Sequence, residues 1–400
     1  MKYLLIFTLF IALASCQKID LSTKKIKMLT SPVESNTSLP FLKVGEDQQL
    51  YLSWVVENKE QAQLKYALMK EEGIWSASAI ASGEDWFVNW ADYPSINIDQ
   101  KGNKLSHYLA KSTSGTYSYD INLTLSRAID NWSESFIPHQ DKTPTEHGFV
   151  SVIPSVNSFI VAWLDGRNTG GESHESHGHQ GAMTLRTATI DLNGHLSDEV
   201  ELDNRVCDCC QTSGAITSNG PIFVYRDRSE DEIRDIAIVR RINGAWTIPK
   251  SIYHDQWKIA GCPVNGPRIA AQGSQVVVAW FSAPESKPQV KLIFSNDAGA
   301  TFGKPLLIDG EHSLGRVDVA IDEEGIAYVS WLSSIENKSE IKAIAANSDG
   351  IIGQSIIIAE TSPSRSSGFP QMELFKNELY FAWTTTAEDA SHIQMAKITL

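Results

Sequence analysis

Ser295-Asn296-Asp297-Ala298-Gly299-Ala300-Thr301-Phe302 separates two short apolar segments, residues 290–295 before it and 302–308 after it. An Asp two residues ahead of a Gly can cap the amides of its own turn, the Gly takes a positive φ, and the aromatic that follows packs between layers. The octapeptide therefore reads as a tight turn between antiparallel strands. Outward from it, an apolar run ends in Trp280, preceded by the polar turn Gln272-Gly273-Ser274-Gln275 and by an alternating strand opened at Gly266-Pro267. Four strands joined by turns make one unit.

The unit recurs. Apolar runs ending in an aromatic close at Trp54, Tyr108, Trp163, Tyr225, Trp280, Trp331 and Trp383, about 50 to 60 residues apart, the mark of a repeat array. Upstream of each lies a short strand, as in Pro94-Ser95-Ile96-Asn97-Ile98 and Gly315-Arg316-Val317-Asp318-Val319. Seven units fit between residues 39 and 400, but the last ends after its third strand, and residues 25–29 are placed to supply the missing outer one. Closing the ring in this way removes exposed sheet edges. The pattern predicts an all-β chain, a seven-bladed β-propeller of four-stranded antiparallel blades. A six-bladed ring is the alternative, because the second unit ends in Tyr108 where most others end in Trp.

Residues 1–15 read as an address: Lys2 is followed by an apolar stretch from Leu4 to Leu13 that is too short to span a membrane. Leu13-Ala14-Ser15-Cys16 resembles the lipobox of bacterial lipoproteins, which implies acylation of Cys16 and a membrane anchor. Gln17 in place of Asp implies sorting to the outer membrane, with the protein periplasmic or exposed at the cell surface. The expected organisation is a signal peptide over residues 1–15, a tether over 16–24 and one propeller domain over 25–400. A formal charge of −14 argues against nucleic acid as a partner.

The octapeptide at 295–302 also matches the Asp box, Ser-x-Asp-x-Gly-x-Thr-aromatic, and so resembles the repeats of sialidase-like propellers. Degenerate versions stand at residues 70–75, 126–132, 191–194, 242–246 and 347–350. The resemblance implies the propeller and a glycan-handling superfamily. A sialidase would also carry a Phe-Arg-Ile-Pro-like segment near its start, the first of three arginines that clamp a sugar carboxylate. The corresponding place reads Leu39-Pro40-Phe41-Leu42, and no arginine precedes Arg127, so the resemblance implies architecture rather than ordinary sialidase activity.

In a meandering blade, the loop between second and third strands and the loop leading to the next blade open on one face. The opposite face receives only tight turns. This loop face collects Trp86, Asn89, Trp90 and Asp92, then His139, Asp141, Glu146 and His147, then the Cys207-Asp208-Cys209-Cys210 cluster, and then Asp255, Trp257, Cys262 and Asn265. Function concentrates on such loops above a rigid scaffold, usually around the central channel. Arg167, Arg226, Arg268 and Arg316, with Trp86, Trp90, Trp257 and Asn265, are the candidate ligand-binding set. Converging guanidiniums suit an anionic sugar and flat indoles suit its ring, against the plainer reading that the arginines pair with nearby carboxylates.

Hydrolysis needs carboxyl groups flanking one bond. Asp227, Asp165, Glu232 and Asp255 are the candidates by face. Cys207, Cys209, Cys210 and Cys262 are expected to be neighbours, joined by disulfides in an oxidising compartment. The sharper alternative is a copper or zinc ion held by these thiolates with His174, His177 and His179. The function expected is a lipid-anchored propeller that binds, and as a glycoside hydrolase would cleave, a glycan or anionic carbohydrate. The alternative is a non-catalytic module that holds a metal or a protein partner.

Overall fold

The computed structural model describes residues 19–127, 130–170, 181–335, 338–387 and 390–400. Seven sheets follow one another along the chain, each a simple meander. The first blade comprises Thr37–Val44, Leu50–Glu57, Ala62–Glu71 and Ile74–Gly83. The second has Ile96–Ile98, Lys104–Lys111 and Tyr119–Ser126, with bridges from Leu123 to Phe136 and from Ser126 to Trp132 standing in for a fourth strand. Blade three spans His147–Ser155, Ser158–Asp165, Thr184–Asp191 and Leu196–Asp203. In the fourth, Ser213–Thr217, Gly220–Arg226 and Ile236–Ile242 are edged by two short pieces, Ala245–Trp246 and Lys250–Ser251. The fifth comprises Arg268–Gln272, Gln275–Ser282, Gln289–Ser295 and Leu306–Asp309, and the sixth Ser313–Ile321, Ala327–Ile335, Lys338–Asn347 and Gly350–Thr361.

The seventh blade joins Gln371–Phe375, Glu378–Ala387 and Ala390–Thr399 to Ile26–Leu29 from the other end of the chain. The pairing runs from Ile26 opposite Ile398 to Leu29 opposite Met395, so residues 25–29 close the ring as the repeat count requires. Seven blades, not six, are present: the second is built around Tyr108, whose hydroxyl donates to Ser135 Oγ at 2.9 Å. Residue 21, in the stretch read as tether, is part of the ring. Leu21 is fully buried against the sixth and seventh blades, and Asp20 accepts a hydrogen bond from the backbone of Gln354.

Alternation of side chains places one face of each sheet against the next blade. Trp54, Trp163, Trp280, Trp331 and Trp383 fill these seams and are almost wholly buried; truncating one to Ala would cost about 3–5 kcal/mol. At the turn of residues 295–302, Asp297 Oδ1 accepts from Thr301 N at 2.8 Å and from Ser295 Oγ at 2.8 Å. Gly299 sits at φ 76°, and Phe302 packs into the seam between blades four and five.

Candidate functional site

Buried indoles need acceptors, and four of them find a carboxylate, while Trp383 Nε1 has no hydrogen-bond partner among the described residues. Trp163 Nε1 donates to Asp165 (2.8 Å), Trp280 to Asp255 (2.7 Å), Trp331 to Asp309 (2.7 Å) and Trp54 to Glu34 (3.3 Å). In the fourth blade Tyr225 takes the same place and donates to Asp203 at 2.6 Å. Two of the four expected catalytic carboxylates are therefore structural. Asp165 has no exposed surface and is gripped by both Trp163 and Arg167. Asp255 is held between Trp280 and Lys291. Neither can reach a sugar.

Glu232 is occupied as well, accepting from Arg228 at 2.7 Å and from Arg234 at 2.8 Å. Asp227 differs: its hydrogen bond is to the Arg228 backbone, at 2.7 Å, and no cation pairs with it among the described residues. Burial, reinforced by the charge of Asp203, raises its pKa to about 6. It is the one candidate that titrates near neutrality.

The mouth of the central channel is crossed by the linker between blades one and two. Ala91 O accepts from Gln211 Nε2 of the linker into blade four at 2.7 Å, and Gln211 Oε1 accepts from Gly266 N at 2.9 Å. Asp92 Oδ1 accepts from Phe149 N of blade three at 2.8 Å, and Trp90 stacks on Phe369 beside blade seven with centroids 5.7 Å apart. Beneath this strap lies a cavity of about 300 Å³, lined by Tyr93, Arg268, Asp318, Lys43 and Glu373. Arg268, expected at the open face, is instead within the channel. There it contacts Tyr93 Oη and stands 3.8 Å from Asp318.

Arg316 and Trp90 do meet at the mouth. The guanidinium lies 4.9 Å from the indole centroid and 5.9 Å from the Phe369 ring. Its hydrogen bonds go to neutral oxygens: Ser367 Oγ at 2.8 Å, Gly368 O at 2.8 Å and Ser364 O at 3.2 Å. Arg365 comes over the same indole at 5.9 Å. Neither arginine forms an ion pair with a carboxylate among the described residues. Burial, with the Arg365 charge added, brings Arg316 down to about 10. Arg316 also holds φ at 51°, a left-handed conformation that costs a non-glycine residue about 1–3 kcal/mol. Backbone strain and two like charges are thus concentrated at one rim.

The other members of the expected set are structural. Arg226 is 1 % exposed and spends its donors on the carbonyls of Asn265, Arg234 and Phe281. Trp257 lies buried under that guanidinium, 4.9 Å away. Asn265 Oδ1 accepts from Arg316 N at 2.7 Å and so positions the strained residue. Trp86 stacks on Tyr108 at 4.2 Å. Arg167 chelates Asp165. Arg365 escaped the sequence argument, because one arginine in Ser362-Pro363-Ser364-Arg365-Ser366-Ser367 looks like any solvated loop residue.

Cys207, Cys209 and Cys210 bring their sulfurs within 4.8 Å of one another, and Cys262 approaches Cys209. The two cysteine segments are neighbours, as the topology required. No disulfide joins any of the four; Cys207 Sγ and Cys210 Sγ are 3.2 Å apart. Arg234 Nη1 donates to Cys207 Sγ at 3.1 Å. Burial opposes a thiolate at Cys207, but the neighbouring thiols and the Arg234 charge outweigh it and pull its pKa well down. His174, His177 and His179 lie outside the described residues.

A second cluster fills the seam between blades two and three. His139 and His147 stack with centroids 3.8 Å apart, and Asp120, Asp141 and Asp165 surround them. Next to it, Tyr119 donates to Glu146 at 2.5 Å and to Asp92 at 3.4 Å. Burial and the Glu146 charge hold Asp92 well above the ordinary carboxylate range, although the Phe149 amide counteracts them.

The ring of seven meandering blades, with an Asp-box turn at residues 295–302, defines a seven-bladed β-propeller. Its fold is similar to that of the polysaccharide lyase Uly1, with a TM-score of 0.53 at 7 % identity over 90 % of this chain and 89 % of that one. It is also similar to a family PL25 ulvan lyase solved with -[GlcA(1-4)Rha3S]-, with a TM-score of 0.50 at 10 % identity over 82 % of each chain. The phage phi92 endosialidase gives a TM-score of 0.50 at 9 % identity over 94 % of this chain and 69 % of that one. At these identities the architecture is what is shared. No protein-family model and no curated protein matches the sequence.

Proposed function

We propose that the protein is a lipid-anchored envelope propeller that binds an anionic carbohydrate at the rim formed by Trp90, Arg316 and Arg365. The observation that carries this reading is the pair of guanidiniums sharing one indole without a carboxylate partner, on a chain of net charge −14. Uncompensated positive charge beside a flat ring suits a sugar carrying a carboxylate or sulfate. The fold is in keeping with it, since an ulvan lyase and an endosialidase share this architecture. Calorimetry against uronate-containing, sulfated and sialylated oligosaccharides tests the proposal. Binding weakened at least about 10-fold by Arg365→Ala supports it; no binding, or binding indifferent to Arg365→Ala, overturns it. Turnover of chromogenic glycosides, abolished by Asp227→Asn, would add hydrolysis to binding. Leu13-Ala14-Ser15-Cys16 supports the anchor, and labelling with a fatty acid that Cys16→Ser abolishes is the test.

A second reading, a soft-metal module, rests on the three converging sulfurs and the arginine beside them. Thiolates suit copper(I) or zinc. Protein purified without oxygen would carry metal that Cys209→Ser releases. Peptide mapping that finds the cysteines paired as disulfides would dismiss this reading.

A further inference from the structure

We infer that Asp120, His139 and His147, in the seam between the second and third blades, bind one divalent transition-metal ion. Both imidazoles are buried, His139 with 6 % and His147 with no surface exposed. His139 Nε2 and both ring nitrogens of His147 nevertheless lack a hydrogen bond. A buried imidazole left in that condition is costly unless a ligand completes it.

The geometry separates ligands from supports. His139 Nε2 is 3.7 Å and His147 Nδ1 is 3.5 Å from the same oxygen, Asp120 Oδ1. Nitrogen and oxygen ligands about 2.0–2.1 Å from a tetrahedral ion stand about 3.3–3.4 Å apart. Both nitrogen-to-oxygen distances are therefore within a few tenths of an ångström of a coordination edge, and the three donor atoms all lie within 4.8 Å of one another.

The opposite sides of the two rings meet a different carboxylate. His139 Nδ1 is 2.9 Å and His147 Nε2 is 3.2 Å from Asp141. Asp141 thereby hydrogen-bonds His139 Nδ1 and lies beside His147 Nε2 without a hydrogen bond to it, which leaves His139 Nε2 and His147 Nδ1 on the Asp120 side, with the outer-sphere carboxylate that metal-bound histidines commonly have. Asp141 is itself fixed by the Thr143 amide at 3.1 Å. Asp165, 3.7 Å from His147 Nε2, is neutralised by Arg167.

Charge agrees with geometry. Asp120, Asp141 and Asp165 outnumber the one cation beside them, Arg167, which also pairs with Glu199, so the cluster favours an added positive charge. Two imidazoles and one carboxylate with open positions suit zinc or iron(II). Asp120 retains 22 % side-chain exposure, so the cluster is reached by solvent from its side. One ion cannot lie in two parallel ring planes, so binding opens the stack into a wedge.

Cobalt(II) titrated into the purified, metal-stripped full chain tests this site. The expected result is one equivalent of visible d–d absorption without thiolate-to-cobalt charge transfer, and competition by zinc. Asp120→Asn, at the exposed edge, should abolish the signal with the melting temperature unchanged. Asp141→Asn should weaken affinity about 10- to 100-fold. The inference is overturned if wild-type chain gives no d–d band, or if Asp120→Asn binds as tightly as the parent. It also fails if replacing His174, His177 and His179 removes the signal, or if charge-transfer bands assign the ion to the cysteines.

Discussion

Arg316 and Trp90 reach each other from opposite sides of the ring: a guanidinium on the inner strand of blade six stands 4.9 Å from an indole carried by the linker between blades one and two. That contact sits at the channel mouth and leaves one exposed charge beside it, at Arg365. The strap is held by Gln211 and Phe149 as well, so Trp90 is part of a fixed wall for the proposed ligand. Pre-arranged aromatic and charged groups bind without a large ordering cost.

The first prediction separates the indole from the charge. Trp90→Ala removes stacking and the cation–π contact, worth about 0.5–2 kcal/mol, and should weaken an anionic oligosaccharide about 3- to 30-fold. Its affinity should retain the parent's dependence on salt. Arg365→Ala should flatten that dependence, because the exposed charge is the part that salt screens. Calorimetry at two ionic strengths reads both.

A second prediction concerns closure. Residues 26–29 supply the outer strand of blade seven, pairing Ile26 with Ile398 and Leu29 with Met395. A chain beginning at residue 30 loses that ladder and the burial of Leu21, and it exposes the edge of Ala390–Thr399. Its unfolding free energy should fall by about 3 kcal/mol or more. Its bare edge should promote association. Thermal melts and light scattering measure the two effects.

What is legible in the sequence depends on which physical rule governs each residue. Blade number, closure and the Asp-box turn follow from periodicity and local turn chemistry, which act along the chain and are visible in it. The neighbouring of Cys209 and Cys262 follows from topology alone. The candidate carboxylates failed for a different reason: Asp165 and Asp255 lie on the expected face, but the repeat itself claims them as acceptors for buried indoles. Arg226 and Trp257 were likewise absorbed into packing. Arg365 and Asp120 gave no signal, because what matters is the charge each meets across a seam, more than 40 residues away in the chain for Arg365 and Arg316.

A third prediction follows from the turn at 295–302. Hydrogen bonds from the Thr301 side chain and amide hold the Asp297 carboxyl near a pKa of about 2. A depressed carboxylate stabilises the fold above its unfolded pKa of about 3.9, and that contribution disappears as pH falls through about 2. Asp297→Ala should cost about 1 kcal/mol at pH 7, a modest figure for an exposed turn. The gap between variant and parent should close in acid, as urea unfolding at pH 7 and pH 2.5 would show.

Asp227 works in the opposite direction. Burial and the Asp203 charge raise it to about 6, so between about pH 4 and 6 the folded chain holds a proton that the unfolded chain has released. Stability from this group is therefore full at low pH and declines as pH rises through 6. Asp227→Asn removes the ionisation, and the variant should gain on the parent by about 1–2 kcal/mol between pH 4.5 and pH 7.5, after allowing for partial exposure of the group. Urea denaturation of both proteins at the two pH values measures it. An unchanged difference would mean that Asp227 is ionised throughout. It would then be unable to donate a proton near neutrality, which removes the last of the four carboxyls, Asp165, Asp227, Glu232 and Asp255, proposed for acid catalysis.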